Sequence, residues 1–339
     1  MKKIFSAILL VILALLFYKG AIYLIDNKIS NIKEPAEVYV RPGDSPEDVL
    51  AALISSLRRP RSLKRMFKAK EVEKYMQPGH YSFGKDAGSV FIARSLNNGW
   101  QTPVSLTLSG ALRGKGEIAR KISAQMMLDS ASVAAALSDA ELLDGYGFTP
   151  RTAFSLFVPD TYQIYWTASA EEIFEIQKRA YDAFWTKENL AKAEALGLTP
   201  LQVSTLASIV KGESKLQKDF SRIAGVYLAR LRKGMPLQAD PTVAFIFDYE
   251  PGRILKKHLR ADSPYNTYKH KGLPPGPICV PDKPYLDAVL NPSLSEGYLY
   301  FCASPAMDGS HLFARTYSEH LRNARAFQKA LDALSRSKL

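Results

Sequence analysis

Residues 4–18 carry no charge, Lys19 breaks the run, and residues 20–25 are apolar again before Asp26. Taken together, 4–25 is long enough to cross a hydrocarbon core of about 30 Å at about 1.5 Å per residue. After that the pattern becomes periodic. The polar, Pro-containing stretch 27–37 reads as a linker, and Val38-Tyr39-Val40 as a strand. Ser45, followed by Pro46 and Asp48, opens a helix whose apolar positions Val49, Leu50, Leu53, Ile54 and Leu57 recur at helical spacing. A second helix is expected over 62–75, a strand at 81–83 after Pro78-Gly79, and a short helix over 91–96. The spacing then predicts a strand at 104–108 and helices at 117–127 and 132–137.

From about residue 150 the helices lengthen, with expected spans 169–185, 187–196, 200–212 and 219–233. Residues 236–291 are rich in Pro, Gly and Tyr. A strand at 298–301 follows, then a helix opened by Thr316 and Glu319 in a capping-box pattern. The fold class is α+β: 1–26 a stub and membrane anchor, 27–37 a linker, 38–100 a strand–helix–helix–strand subdomain, 101–149 a connecting α/β region, and 150–339 a C-terminal α+β domain.

Composition narrows the function. An apolar share of 47% excludes a disordered chain. Two cysteines exclude a disulfide scaffold and a Cys-rich zinc module. Lys2 and Lys3 favour an N-terminus kept in the cytoplasm, while Lys28 and Lys33 on the far side weaken that bias. The stretch Phe17-Tyr18-Lys19-Gly20-Ala21 lacks the small residues a signal-peptide cut requires, which favours an uncleaved single-pass anchor. Under either reading residues 27–339 are exported. Cys279 and Cys302 then meet a compartment where they either pair or stay buried thiols. With a net charge of +12, an exported chain points to anionic wall polymer or membrane headgroups and away from nucleic acid. The run 58–74 holds eight basic residues against two acidic ones, a pattern more often a solvated helix face than a contact surface.

Candidate chemistry falls to carboxylates. His80, His258, His270, His311 and His320 show no metal-ligand spacing, and no cofactor or nucleotide fingerprint is present. The helix opened by Thr199-Pro200 carries an apolar face of Val203, Leu206, Ala207 and Val210, and the next step of three reaches Glu213. A carboxyl continuing an apolar stripe is withdrawn from water, which raises its pKa and suits a general acid. Gly212 reads as the helix ending, opening Glu213 toward a cleft. On helix geometry alone, a Glu solvated or paired with Lys211, Lys215 or Arg222 is the commoner arrangement. Beyond Arg230, Arg232 and Gly234, which stop a helix, the loops 234–243, 263–268 and 272–278 set rings, amides and hydroxyls on Pro-stiffened backbone, as a sugar site requires.

These motifs together resemble the endolytic murein transglycosylases of the YceG-like type. The likeness runs in order through Ala207-Ser208-Ile209-Val210 and Glu213, Ile223 to Leu231, Met235 to Val243, Ser263-Pro264-Tyr265-Asn266-Thr267-Tyr268, Gly272 to Ile278, Leu290-Asn291-Pro292, Tyr298 to Phe301 and His311-Leu312-Phe313. Pro159-Asp160-Thr161-Tyr162 extends it upstream. The resemblance implies a LysM-like subdomain at 38–100 and a YceG-like catalytic domain at 150–339. It also implies that Glu213 is the catalytic acid. Lys211 stands where the family carries a first glutamate, and Phe154-Ser155 where it carries Glu-Gly, so a second carboxylate at 211 is lacking.

Gln238, Asp240, Tyr265, Asn266, Thr267 and Tyr268 are the candidates to orient the sugar. The expected reaction cuts the bond between N-acetylmuramic acid and N-acetylglucosamine inside peptidoglycan strands. It leaves 1,6-anhydro ends, needs no cofactor or metal, and takes place at the cytoplasmic membrane on its exported side. The resemblance further suggests peptidoglycan synthases as neighbours. Two rivals stand beside it: a muramidase-type hydrolase with Asp240 as base to water, and a non-catalytic wall-binding scaffold.

Overall fold

The computed structural model describes residues 2–336. The chain divides into two compact units. The first comprises the chain up to Leu106 together with 125–127 and 163–168, and the second holds 107–124, 128–162 and the remainder from Ser169.

In the first unit, a helix over Lys2–Asn27 precedes an antiparallel hairpin of Ala36–Val40 and Gly79–Phe83, with Val38 opposite Tyr81. Period-two alternation puts Val38 and Val40 into the core and leaves Tyr39 out. Between the strands lie helices Pro46–Leu53, Pro60–Ala69 and Val72–Tyr75, and Ser89–Asn98 follows. Ser45 and Asp48 form the reciprocal cap their spacing predicts. The single helix expected over 62–75 is broken, because Glu71 adopts φ 50° and restarts the turn. The order is therefore strand, two helices, a short third helix, strand. The stretch 27–37, polar enough to read as a linker, is packed: Asn31 and Ile32 are fully buried, and Ser30 and Ile32 bridge to Gly88 and Leu57. Asn31 tolerates burial because its amide is hydrogen-bonded to Ser89 and to the Arg59 backbone.

The second unit is built around the helix Pro200–Glu213. Thr199 and Gln202 cap it reciprocally, and Pro200 occupies its first turn. The sequence suggested one apolar stripe, yet every residue from Val203 to Val210 is buried. Helices Lys187–Ala195, Gln217–Arg232, Asp240–Ile246 and Lys283–Leu290 surround it. The polar members of the helix are satisfied within the packing: Thr205 donates to the Leu201 carbonyl, and Ser208 donates to Thr205 and accepts from the Ile278 amide. A hairpin of Tyr300–Ala303 and His311–Ala314 and a helix over Tyr317–Arg336 complete the C-terminal part. Cys279 and Cys302 are both free thiols, and burial pushes Cys279 up to about 12.

Candidate active site

The central helix does not stop at Gly212; it runs through to Glu213, its last residue. Gly212 has a different reason to be glycine. A Cβ there would sit 2.5 Å from the Pro241 Cβ, so the missing side chain lets the Asp240-Pro241 segment lie against the helix end. On the cleavage activity that the resemblance implies, we expect Gly212→Ala to displace that segment and lower turnover by about tenfold, with the thermal midpoint changed far less than the rate. Steady-state cleavage assays beside thermal melts check this.

Glu213 lines a cavity of about 760 Å³, a volume suited to a ligand of several rings. One side of its carboxyl belongs to the cavity and the other meets the core. Tyr227, on the third turn of Gln217–Arg232 and 1% exposed, donates its hydroxyl to Glu213 Oε1 at 2.6 Å. Burial raises the Glu213 pKa from 4.5 to about 7; the Tyr227 hydrogen bond opposes the rise, the Asp240 charge adds to it and Arg230 lowers it. Glu213 also sits at the negative end of its helix dipole, which further disfavours the ionised form. The Tyr227 phenol is pushed well above its ordinary value, chiefly by burial, so it stays a donor.

Arg230, one turn beyond Tyr227, is 8% exposed and has no carboxylate in hydrogen-bond reach among the described residues. Its guanidinium donates to the carbonyls of Leu299 at 2.7 Å, Leu237 at 2.8 Å and Pro236 at 3.3 Å, and lies over the Tyr300 ring. It thereby pins the turn leading into 238–242. Arg230→Met is expected to cost about 3 kcal/mol of stability by stranding those carbonyls, read by urea denaturation.

The loops from 234 to 268 divide into supports and site. Thr267 is 1% exposed; its Oγ1 accepts from the Ala239 amide at 3.0 Å and lies 2.9 Å from Thr242 Oγ1, while its carbonyl accepts from the Gln238 amide. Asn266 is fully buried and donates to the Leu259 and Ala261 carbonyls, with its Oδ1 taking the Tyr268 amide. Both side chains face into the fold. What they hold out is Asp240, an exposed carboxylate lining the same cavity as Glu213, which accepts from the Tyr268 hydroxyl at 2.6 Å. Tyr265 is half-buried against Phe245, and Gln238 is exposed with φ 53°. So the structure brings Glu213 and Asp240 to one cavity and Tyr268 to Asp240. Gln238, Tyr265, Asn266, Thr267 and Tyr268 itself are not among its lining residues, so Tyr268 reaches the cavity only through Asp240.

Lys211 points elsewhere: its Nζ binds Asp282 at 2.7 Å and the Val280 and Gly110 carbonyls, tying three segments of the cavity wall together. Arg113, Lys215 and Arg253 add positive charge to the same wall. Among the described residues no group of His, Cys, Asp and Glu could hold a metal ion. In the sequence Tyr227 and Arg230 read only as part of the helix and its stop signal, not as site residues. Their signal is a phenol and a guanidinium three residues apart on the buried face of Gln217–Arg232.

The sequence profile of the YceG-like family matches residues 38–326. A Bacillus subtilis protein named endolytic murein transglycosylase is 43% identical over 116 residues, covering 34% of this chain and 31% of that protein. A Streptococcus pneumoniae protein of the same name is 32% identical over 181 residues, 49% of this chain and 30% of its own length. The matched stretch thus spans under a third of either relative. A crystal structure of a yceG-like protein from Listeria monocytogenes is similar with a TM-score of 0.55 and 27% identity, covering 86% of this chain and 99% of that one.

Proposed function

The chain belongs to the YceG-like family, and on that premise we propose that it is a membrane-anchored endolytic transglycosylase of peptidoglycan. The observation that carries the proposal is Glu213: a carboxyl on a cavity wall, desolvated from behind, with a pKa near 7. In its neutral form it protonates the oxygen linking N-acetylmuramic acid to N-acetylglucosamine. As positive character builds at C1, the muramic acid's own C6 hydroxyl attacks and the new Glu213 carboxylate takes its proton. The C1–O bond to the leaving sugar breaks, a C1–O6 bond forms, and the proton count closes without water. One carboxylate serves both steps because the nucleophile is tethered to the substrate. Asp240 and Tyr268 orient the sugar, and the remaining loop residues act by holding those two in place.

The helix Ile4–Asn27 is long and apolar enough to span a bilayer, which supports a single-pass anchor; Lys2 and Lys3 favour keeping its N-terminus in the cytoplasm and so the body on the exported side. The first unit then acts as a LysM-like glycan contact, and the enzyme ends new strands beside the synthases that make them. Asp240 in the same cavity favours one second reading, in which it activates water and the products carry reducing ends. Mass spectrometry of nascent uncrosslinked glycan after digestion decides between them. Internal cuts with anhydro ends, one water lighter, are expected; reducing ends assign hydrolysis, and uncut glycan leaves only a binding role.

A further inference from the structure

The helix at the N-terminus does not lead into a tether. Its residues from 4 to 20 are exposed, then Ala21, Ile22 and Ile25 become half-buried and Asp26 is 2% exposed. Those seventeen exposed residues rise about 25 Å, close to one hydrocarbon core. Protein therefore closes around the helix at the level where headgroups begin. The junction is a buried polar lock. Asp26 accepts from Arg65 Nε at 2.9 Å and a second Arg65 nitrogen at 2.6 Å, and from Ser62 Oγ at 2.6 Å. Ser62 lies 2.8 Å from Ser89 Oγ, which accepts from Asn31, and Asn31 in turn holds both backbone groups of Arg59. The helix Pro60–Ala69 is thus fixed against the last turn of the anchor.

That helix carries no acidic residue. Arg61, Arg65 and Lys68 recur at helical spacing along its exposed side, with Arg58 just before it. Lys64, beside this stripe, borders a cavity with Glu47, Glu71 and Glu73, which Arg65 and Lys68 of the stripe also line. Asp26, buried at the junction, is matched by Arg65, and among the described residues Arg61 forms no ion pair. Exposed Lys28 extends the positive surface at the foot of the anchor. We propose that this stripe docks on anionic phospholipid headgroups of the bilayer that the anchor spans, seating the first unit on the membrane. The inference rests on the anchor reading above. Lipid is favoured over wall polymer because the lock fixes the stripe at the foot of the helix, and basic side chains there meet an anionic leaflet within the screening length.

The test uses the full chain in vesicles of phosphatidylcholine alone or mixed with phosphatidylglycerol, with amine acylation by an impermeant reagent read by mass spectrometry. Labelling of Lys28 and Lys68 is expected to fall about fivefold in the anionic vesicles and to recover at high salt, while Lys187 and Lys192 label equally in both. The double variant Arg58→Glu/Arg61→Glu is expected to lose the difference. Carbonate-resistant flotation with both vesicle types separates the two readings. Flotation with equal labelling overturns the docking alone, whereas failure to float overturns the anchor and the docking with it. Protection that follows added anionic wall polymer and ignores lipid charge assigns the stripe to the polymer and overturns the proposal.

Discussion

Glu213→Gln is expected to lose glycan cleavage by about three orders of magnitude while gaining stability at alkaline pH. The rate falls because an amide neither gives nor takes the proton that both bond changes require. Strand binding persists, since Asp240, Tyr268 and the cavity walls are untouched. The stability gain follows from linkage. The Glu213 pKa is about 7 in the fold and 4.5 in its ordinary state, so the fold binds this proton more tightly than the unfolded chain. The benefit of the neutral carboxyl is complete below pH 4.5 and is lost as pH rises through 7. Wild type at pH 8 therefore carries an ionised carboxylate over an apolar core. The gap corresponds to at most about 3 kcal/mol, less what the open cavity's water recovers. Melting curves should coincide near pH 4 and separate by pH 8, with the glutamine variant higher. Such opposite movement of activity and stability is the mark of a strained functional group.

Tyr227→Phe is expected to move the falling limb of the pH–rate profile upward by about one to two pH units. The phenol donates to Oε1 at 2.6 Å, and that bond favours the carboxylate over the acid. Without it, Glu213 keeps its proton to higher pH and donates it less readily, so neutral turnover drops even as the alkaline range widens. Asp240→Asn acts in the other direction, because removing a like charge eases ionisation of Glu213. Opposed shifts from two neighbours of one group would identify Glu213 as the titrating acid, whereas general damage to the fold would move neither limb.

The fold was most legible where local physics decides it. Thr199 and Pro200 fix the start of the central helix, and Ser45 with Asp48 does the same for Pro46–Leu53. The arginines of the last turn and Gly234, at φ 63°, mark the end of Gln217–Arg232. Stepping by three from Val210 reaches Glu213, although the helix is buried on all sides from Val203 to Val210 and so the desolvation there comes from the surrounding helices as well as from one apolar face.

What stayed hidden depends on contacts distant in sequence. Gly212 reads locally as a helix stop, and only the approach of Pro241 explains it. Helices Asp240–Ile246 and Lys283–Leu290 lie in a stretch whose prolines suggest loops, yet Pro241 and Pro284 occupy first turns, where proline is welcome. Asn266 and Thr267 look like sugar ligands by chemistry; their partners are backbone groups of neighbouring segments and, for Thr267, the Thr242 hydroxyl. Lys211 reads as a possible partner of Glu213, and Asp282, far along the chain, takes it instead. The division is between chemistry carried by one segment and chemistry created when two segments meet.

The proposed catalysis turns on the protonation of one side chain, and ¹³C NMR titration of the Glu213 carboxyl, assigned by difference against Glu213→Gln, measures it directly. A midpoint near pH 7 that rises in Tyr227→Phe is the predicted result. A midpoint near 4.5, unmoved by that substitution, would contradict it.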